Sequence, residues 1–454
     1  MRNPFELAER WGTAIAAAQL ALQFVSARRL IDAPICSCGH NHDPLTGPPD
    51  RRISVHLFVT LDARSDFGPA VARFGATRLP VPRPQMPSRR DFLKTSAAVG
   101  GSVLVGAAAP GLFAAAAPER ARAPMRFLIL GGTGFIGPHL VKHGVARGHT
   151  VSIFTRGRSD ASMLPVEVER LVGDRNGQLG ALEGKKWDAV FDDSATNPDW
   201  VRQSAALLKG NVSQYLFTSS TGVYYPYLKK GLDESTPPLL EGDPKDGSAA
   251  FGTSKAQCEK IVLDTFGEGG IVVRPSYIVG PGDTTDRFPY WPVRLARGGE
   301  VLVPGKRDDS AQFVDVRDLV EFMVKVVEDK RSGPFNAAGP RDPITIRAFV
   351  EAAARALDAK VTFTQVDDYD FLTEQKVFSM VPWVLPTGNN FGHTAISNAR
   401  AKAAGLGFRP MATTVRDTLA WWPTVPEARR NAPRFALTPE QEATLLAAWK
   451  ARKG

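Results

Sequence analysis

Cysteine is nearly absent from this sequence: there are three in 454 residues, and beyond position 85 only Cys258 remains. A lone thiol cannot close an internal disulfide, so packing rather than crosslinking must hold the rest of the chain together, even in an oxidising compartment. Lysine is missing from residues 1–85, which carry ten arginines, whereas eighteen lysines follow. Internal repeats, a nucleotide P-loop and paired metal-binding boxes are also missing, which excludes solenoids and zinc modules. Excess charge of one sign is scarce. The formal +9 divides as +3 over residues 1–85, +2 over 86–117 and +4 over the remainder, too mild for a nucleic-acid surface.

What is present begins oddly late. From Met86 the chain reads as a basic head (Arg89, Arg90, Lys94), an uncharged run from Thr95 and an alanine-rich end at Ala114–Ala117, the layout of an export signal. Ser88-Arg89-Arg90-Asp91-Phe92-Leu93-Lys94 resembles the twin-arginine motif, which addresses folded bacterial cargo to the Tat translocase. Cleavage is expected near Ala116 or Ala117. The run is long enough to span a bilayer, but it is poor in Leu and Ile, so a stable membrane anchor is not expected. An export signal acts at a free N-terminus. Residues 1–85 are therefore read as translated upstream DNA, a gene-boundary error without an ordered fold of its own. Cys36, Cys38, His40 and His42 cluster there, but Cys-x-Cys is short of the usual ligand spacing and no partner pair follows, so no metal is expected. Removing leader and signal leaves about 338 residues, enough for one large α/β domain with a smaller lobe.

The mature part opens with a phosphate cradle. An apolar strand, Phe127–Leu130, turns at Gly131 into a helix running to about Arg147, and a second strand covers Val151–Phe154. A strand feeding a helix through glycines presents free backbone N–H groups and the helix dipole to a pyrophosphate. Gly131 allows the turn, Gly134 lets phosphates approach, and Gly137 lets helix and strand pack closely, with Thr133, Phe135 and Ile136 completing the loop. At the end of the second strand an acid would hold the free ribose hydroxyls of NAD. That position carries Arg156 and Arg158 instead, which favours NADP over NAD. Apolar runs at Leu171, Ala189–Phe191, Tyr215–Thr218 and Ile271–Arg274 alternate with helical stretches, as a doubly wound parallel sheet requires.

Taken in order, "GGTGFIG", "VGDRNG", "YLFTSSTGVYY", "IVVRPSYIVGPGDTTDRF" and "QFVDVRDLV" resemble the extended short-chain dehydrogenase/reductases, and within them the NAD-dependent epimerase/dehydratase group, across nearly all of residues 125–425. The resemblance implies an NAD(P)-binding Rossmann domain over residues 118–280, a smaller substrate lobe with returning sheet elements over 281–425, and a helical tail over 426–454. It implies that Asp174 contacts adenine and that Ser220 binds the reacting oxygen, with Ser219 or Thr221 in its place if the alignment slips by one. The family acid/base is a tyrosine four residues before a lysine. Here "FGTSKAQCE" keeps Lys255, which would lower a phenol's pKa and hold the nicotinamide ribose, but places Phe251 at the tyrosine position. Tyr225, Tyr224, Asp192 and Asp193 are the candidate substitutes.

On the substrate side, "PGDTTDRFPYWPVRLARGGE" supplies Arg287, Phe288, Tyr290, Trp291 and Arg294, which suit a saccharide ring and anionic groups. Gln312 adds a hydrogen bond. An exported enzyme meets little free cofactor, so the expected chemistry is an epimerase, dehydratase or internal oxidoreductase that recycles a tightly held dinucleotide in the periplasm. The alternative is a dinucleotide-binding or redox-sensing protein without turnover. RNA binding, found in some chloroplast members, fits neither the charge nor the export. Family members often form homodimers.

Overall fold

The computed structural model describes residues 118–159 and 164–453. The upstream extension, its Cys36–His42 cluster and the twin-arginine segment lie outside the described residues. Seven strands form one parallel sheet: β1 (Arg126–Leu130), β2 (Thr150–Thr155), β3 (Glu169–Val172), β4 (Ala189–Asp192), β5 (Gln214–Thr218), β6 (Gly270–Pro275) and β7 (Gly333–Ala337). Their order is 7-6-5-4-1-2-3. Such a sheet is covered on both faces, so its strands must be apolar throughout rather than alternating. β1, β4, β5 and β6 meet that demand, whereas β3 keeps Glu169 and Arg170 and ends the sheet at an exposed edge.

Four long helices cover the faces: α1 (Ile136–Ala146), α2 (Pro198–Leu208), α3 (Gly247–Phe266) and α4 (Val316–Glu328). The two-residue period of β1 sorts its side chains between them. Phe127 and Ile129 join Leu140 of α1 and the Leu319–Val327 face of α4, while Leu128 and Leu130 join Val201 of α2 and Cys258 and Val262 of α3. Strand order reverses between β1 and β4, so their carboxyl ends diverge and leave a crevice, where ligands bind in open α/β sheets.

A second core gathers C-terminal elements. Strand Gly299–Pro304 pairs parallel with Val361–Val366, and Trp291, Phe349, Trp383 and Trp449 pack around that ribbon. The returning elements α4 and β7 belong to the main sheet, so the lobe is built from the segments on either side of them. The final helix, Pro439–Lys453, is no loose tail. Leu445, Leu446 and Trp449 seat it in the lobe core. None of the helices among the described residues is long and apolar enough to cross a membrane.

Candidate dinucleotide and substrate site

After β1 the chain turns with Gly131 at φ 127° and Gly132 at φ 98°, a region that side chains rarely adopt. At Gly131 a Cβ would stand 1.9 Å from Asp193 Oδ1, and at Gly137 it would stand 2.4 Å from the Gly132 backbone. The glycine loop is thus wedged between β4 and α1. At Gly134, by contrast, a Cβ would meet nothing within 4 Å, because that position faces open space. The α1 terminus has no side-chain cap and no acid in its first turn, so its free N–H groups and dipole face the same space. A cavity of about 1270 Å³ runs from this cradle across the strand ends. It reaches Thr155, Arg156, Arg158 and Asp174 on one side and Ser220, Phe251 and Lys255 on the other. Thr133, Phe135 and Ile136 line its middle. Uncapped N–H groups, a glycine that leaves room and a cavity larger than the ~300–1000 Å³ usual for one small ligand fit a dinucleotide with a substrate beside it.

Of the three hydroxyls that the sequence offered after β5, Ser220 is the one with its proton uncommitted at the cavity. It caps a short 3-10 turn, Thr221–Tyr224, by accepting the Gly222 N–H at 3.0 Å, which leaves its own proton for a ligand. Ser219 donates instead to Glu259, and Thr221 is buried. Lys255 is buried on α3, where its ammonium donates to the carbonyls of Ala195 at 2.8 Å and Thr218 at 2.9 Å. Burial pulls its pKa below the ordinary lysine value despite nearby carboxylates. One turn earlier on the same helix, the Phe251 ring lies against Gly222 with 43% of its surface exposed to the cavity. A phenyl ring there holds the tyrosine's place without its proton.

The proposed substitutes separate in space. Tyr224 turns away from the cavity into a buried network, donating to Asn336 Oδ1 at 2.9 Å and accepting from Arg274 at 2.6 Å. Burial raises its pKa, and it is corrected from candidate acid/base to packing residue. Tyr225 lines the cavity, but its hydroxyl donates to Asp246 Oδ2 at 2.8 Å while accepting from Asn389 at 3.0 Å. The Asn389 bond favours the phenolate, yet the Asp246 carboxylate and partial burial outweigh it and hold the pKa above the ordinary value. Asp192 is also corrected: it is fully buried, held by the Arg175 guanidinium and the Tyr215 hydroxyl, with no face to a ligand. Asp193 does reach the cavity, beside Gly131.

Five of the six expected substrate contacts belong elsewhere. Phe288, Tyr290 and Trp291 lie in the lobe core, where the Trp291 indole donates to Val381 O at 2.8 Å. Arg294 is buried against Glu442, and Gln312 clasps Ile396 through both ends of its amide, at 2.8 and 3.2 Å. The reason is local. Residues Tyr290–Ala296 form a helix that turns inward, rather than a loop roofing the site. Arg287 alone of the six lines the cavity, with its guanidinium 5.1 Å from the Tyr277 ring.

The wall that the sequence did not disclose is aromatic. Tyr227 stacks on His393 at 4.3 Å and 11°, and Tyr277 lies on His393 at 5.4 Å, with all three lining the cavity. His393 arrives on a loop locked to the segment after Ser220. The Tyr227 N–H donates to Asn389 O at 2.8 Å, the Gly392 N–H donates to Tyr227 O at 2.8 Å, and a Cβ at Gly392 would stand 1.9 Å from Lys229 O. Tyr277 sits in the quoted "RPSYIVG" stretch and was within reach of sequence reasoning, whereas nothing marks "NNFGHTA" as part of a site.

Burial drives the His393 pKa down to about 4, and its Nδ1 is buried without a partner. An unfolded histidine takes a proton below about 6.5. The folded one resists until about 4, so stability falls as pH drops through that window. His393→Phe, which keeps the stack, is expected to remove about 2 kcal/mol of the loss between pH 7 and pH 5. Urea unfolding at about pH 7 and pH 5 measures it, and unchanged pH dependence in the variant would contradict the assignment.

Comparison with known proteins places this geometry. The family model described as NAD dependent epimerase/dehydratase family matches residues 127–338, and the twin-arginine translocation signal model matches residues 86–106. The chain is 28% identical over 248 residues to the chloroplast stem-loop binding protein of 41 kDa b of Arabidopsis thaliana, covering 51% of this chain and 63% of that relative. It is 28% identical over 259 residues to the UDP-N-acetyl-alpha-D-glucosaminuronate decarboxylase of Bacillus cytotoxicus, covering 49% and 77%. With a 3-diazoavenalumate denitrifying reductase of Streptomyces it shares 26% over 318 residues, covering 65% and 99%. Among solved structures, the Bordetella bronchiseptica enzyme WbmG in complex with NAD and UDP superposes with TM-score 0.51 at 18% identity, over 67% of this chain and 96% of that one. A UDP-glucose 4-epimerase does so with TM-score 0.51 at 16% identity, over 66% and 98%. At such identities the superpositions establish the fold alone. Behind a match to the twin-arginine signal model, residues 127–338 of the chain match the NAD dependent epimerase/dehydratase family model.

Proposed function

We propose that the protein is exported in the folded state with a nicotinamide dinucleotide already in the cavity. In the periplasm it would act on a saccharide, of the nucleotide-sugar kind, by chemistry that restores the dinucleotide at each turnover, as an epimerase, dehydratase or internal oxidoreductase. The observation that carries this reading is the conjunction of a twin-arginine signal with an open, uncapped phosphate cradle. Folded export allows a cofactor to be loaded in the cytoplasm, and self-recycling removes the need for a supply outside it. Relatives named for UDP-sugar decarboxylation and a fold shared with a UDP-glucose 4-epimerase favour the sugar nucleotide.

Arg156 and Arg158 would meet the adenosine ribose, which favours NADP over NAD, and Asp174 would lie at the adenine end. A bound nicotinamide supplies the hydride acceptor and donor. Lys255 holds its charge at the ribose side, and the Ser220 hydroxyl hydrogen-bonds the reacting oxygen. Tyr225 is kept protonated by Asp246, which makes its phenol a weaker acid than a free tyrosine and suits it to lining the site rather than transferring a proton. Arg287, Tyr227, Tyr277 and His393 offer the substrate a cationic and aromatic wall.

The deciding experiment is purification from the periplasm of the natural host, with mass spectrometry of the N-terminus and identification of any dinucleotide released on denaturation. A start between residues 115 and 124, with NADP or NAD retained through gel filtration, is the expected result. Complete loss of cofactor on gel filtration would overturn self-recycling. It would leave the second reading, a dinucleotide-binding or sensing protein without turnover, which Phe251 favours.

A further inference from the structure

Of the groups facing the glycine cradle, Asp193 is the one whose charge is wrong for a diphosphate; the other acid of the cavity, Asp174, lies beyond β3. Anion cradles place N–H groups and cations around a diphosphate. Here a carboxylate is seated at the mouth of the glycine turn: its Oδ1 lies 1.9 Å from where a Cβ on Gly131 would stand, and it lines the same cavity. We propose that the Asp193 carboxylate competes electrostatically with the ligand's diphosphate at the glycine turn, so that the protein takes up a dinucleotide together with a proton. This rests on the reading of the cavity as a dinucleotide site.

The charges around Asp193 do not remove the conflict. Asp192, its neighbour on β4, adds negative charge but is itself bound by Arg175 from the β3–β4 connection, and that guanidinium is committed to Asp192 and Ser204. Lys255, from α3, spends two N–H bonds on carbonyls. The glycine turn contributes no ionisable side chain and the first turn of α1 no acid, while His139 of that turn is engaged by Pro281 O at 2.9 Å. Burial, followed by the Asp192 charge, pushes the Asp193 carboxyl up to about 7 even before a ligand arrives. A diphosphate nearby raises it further, because two like charges in a partly desolvated cleft disfavour each other. Above the free group's pKa, each further pH unit then weakens binding by up to a factor of ten, until the pKa of the liganded form is passed.

The test is calorimetric binding of ADP-ribose, NAD and adenosine at about pH 6 and pH 8.5, each in two buffers of different ionisation heat at constant ionic strength. For the wild-type protein, ADP-ribose and NAD are expected to bind roughly ten- to a hundredfold more weakly at the higher pH, with net proton uptake. Adenosine, which lacks the diphosphate, should bind independently of pH. Asp193→Asn is expected to bind ADP-ribose at high pH within about threefold of the wild type's affinity at low pH, without proton uptake. Asp193→Ser, with the same pattern, guards against an amide-specific artefact, and a thermal melt of each variant confirms folding. Weaker binding by folded Asp193→Asn, with the pH dependence retained, would overturn the proposal and make Asp193 a ribose ligand. Absence of ADP-ribose and NAD binding in both proteins at either pH would instead overturn the dinucleotide reading and take this inference with it.

Discussion

Phe251→Tyr is expected to raise turnover by roughly 10²–10⁴-fold, the usual contribution of a positioned general acid/base. The position is prepared for it. Phe251 already exposes 43% of its surface to the cavity, so a hydroxyl needs no new space. Its neighbours are the residues proposed for the site: Ser220 across the Gly222 turn, and Lys255 one helical turn on, with its ammonium 6.0 Å from the ring centroid. That cation stabilises a phenolate, so the new tyrosine should ionise below the usual value of about 10. The ultraviolet absorbance of phenolate reports this without any substrate. Turnover is followed on a panel of UDP-sugars by product analysis and by nicotinamide absorbance. A new phenol that titrates normally would show that Lys255 no longer acts on this position. Measurable wild-type turnover with no gain in the variant would mean that another group carries the proton. Asp246 holds Tyr225 protonated, which leaves Asp193, the other candidate that reaches the cavity, as the group to examine next.

Where sequence reasoning succeeded, the cause is local. The cradle depends on contiguous glycines between an apolar strand and a helix, and each has a steric reason within its own neighbourhood. Gly131 and Gly137 have no room for a Cβ, and Gly134 opens on the cavity. The sheet was legible because buried parallel strands are uniformly apolar. Where reasoning failed, the deciding partner is remote. Arg294 looks like an anion ligand until Glu442, 148 residues later, closes on it and on the Leu302 N–H. Tyr224 and Tyr225 are adjacent and chemically identical, yet the 3-10 turn sends one to Arg274 and Asn336 and the other to the cavity. His393 reaches the site by a loop clasped to residues 227–231 through backbone bonds, which side-chain composition does not encode.

Removing Glu259 is expected to be the most destabilising single change near the site. Glu259 and Arg274 are almost fully buried and joined by two hydrogen bonds at 2.9 and 2.7 Å, and they carry Ser219 and Tyr224 at the rim. Glu259→Ala leaves a guanidinium in the core with no counter-charge, a change that costs about 3–5 kcal/mol and lowers the melting temperature by roughly ten degrees. The next residue provides the control. Lys260 pairs with Asp264 one turn away on the exposed side of the same helix, and Lys260→Ala should cost no more than about 0.5 kcal/mol. Equal losses in the two variants, by urea unfolding, would remove the network from any structural role. The double variant Glu259→Met/Arg274→Met separates stability from positioning. An apolar pair of similar volume can recover most of the lost stability, but it cannot accept from Ser219 or donate to Tyr224. The 3-10 turn that Ser220 caps then loses both anchors, and stability should return while dinucleotide affinity and turnover stay low.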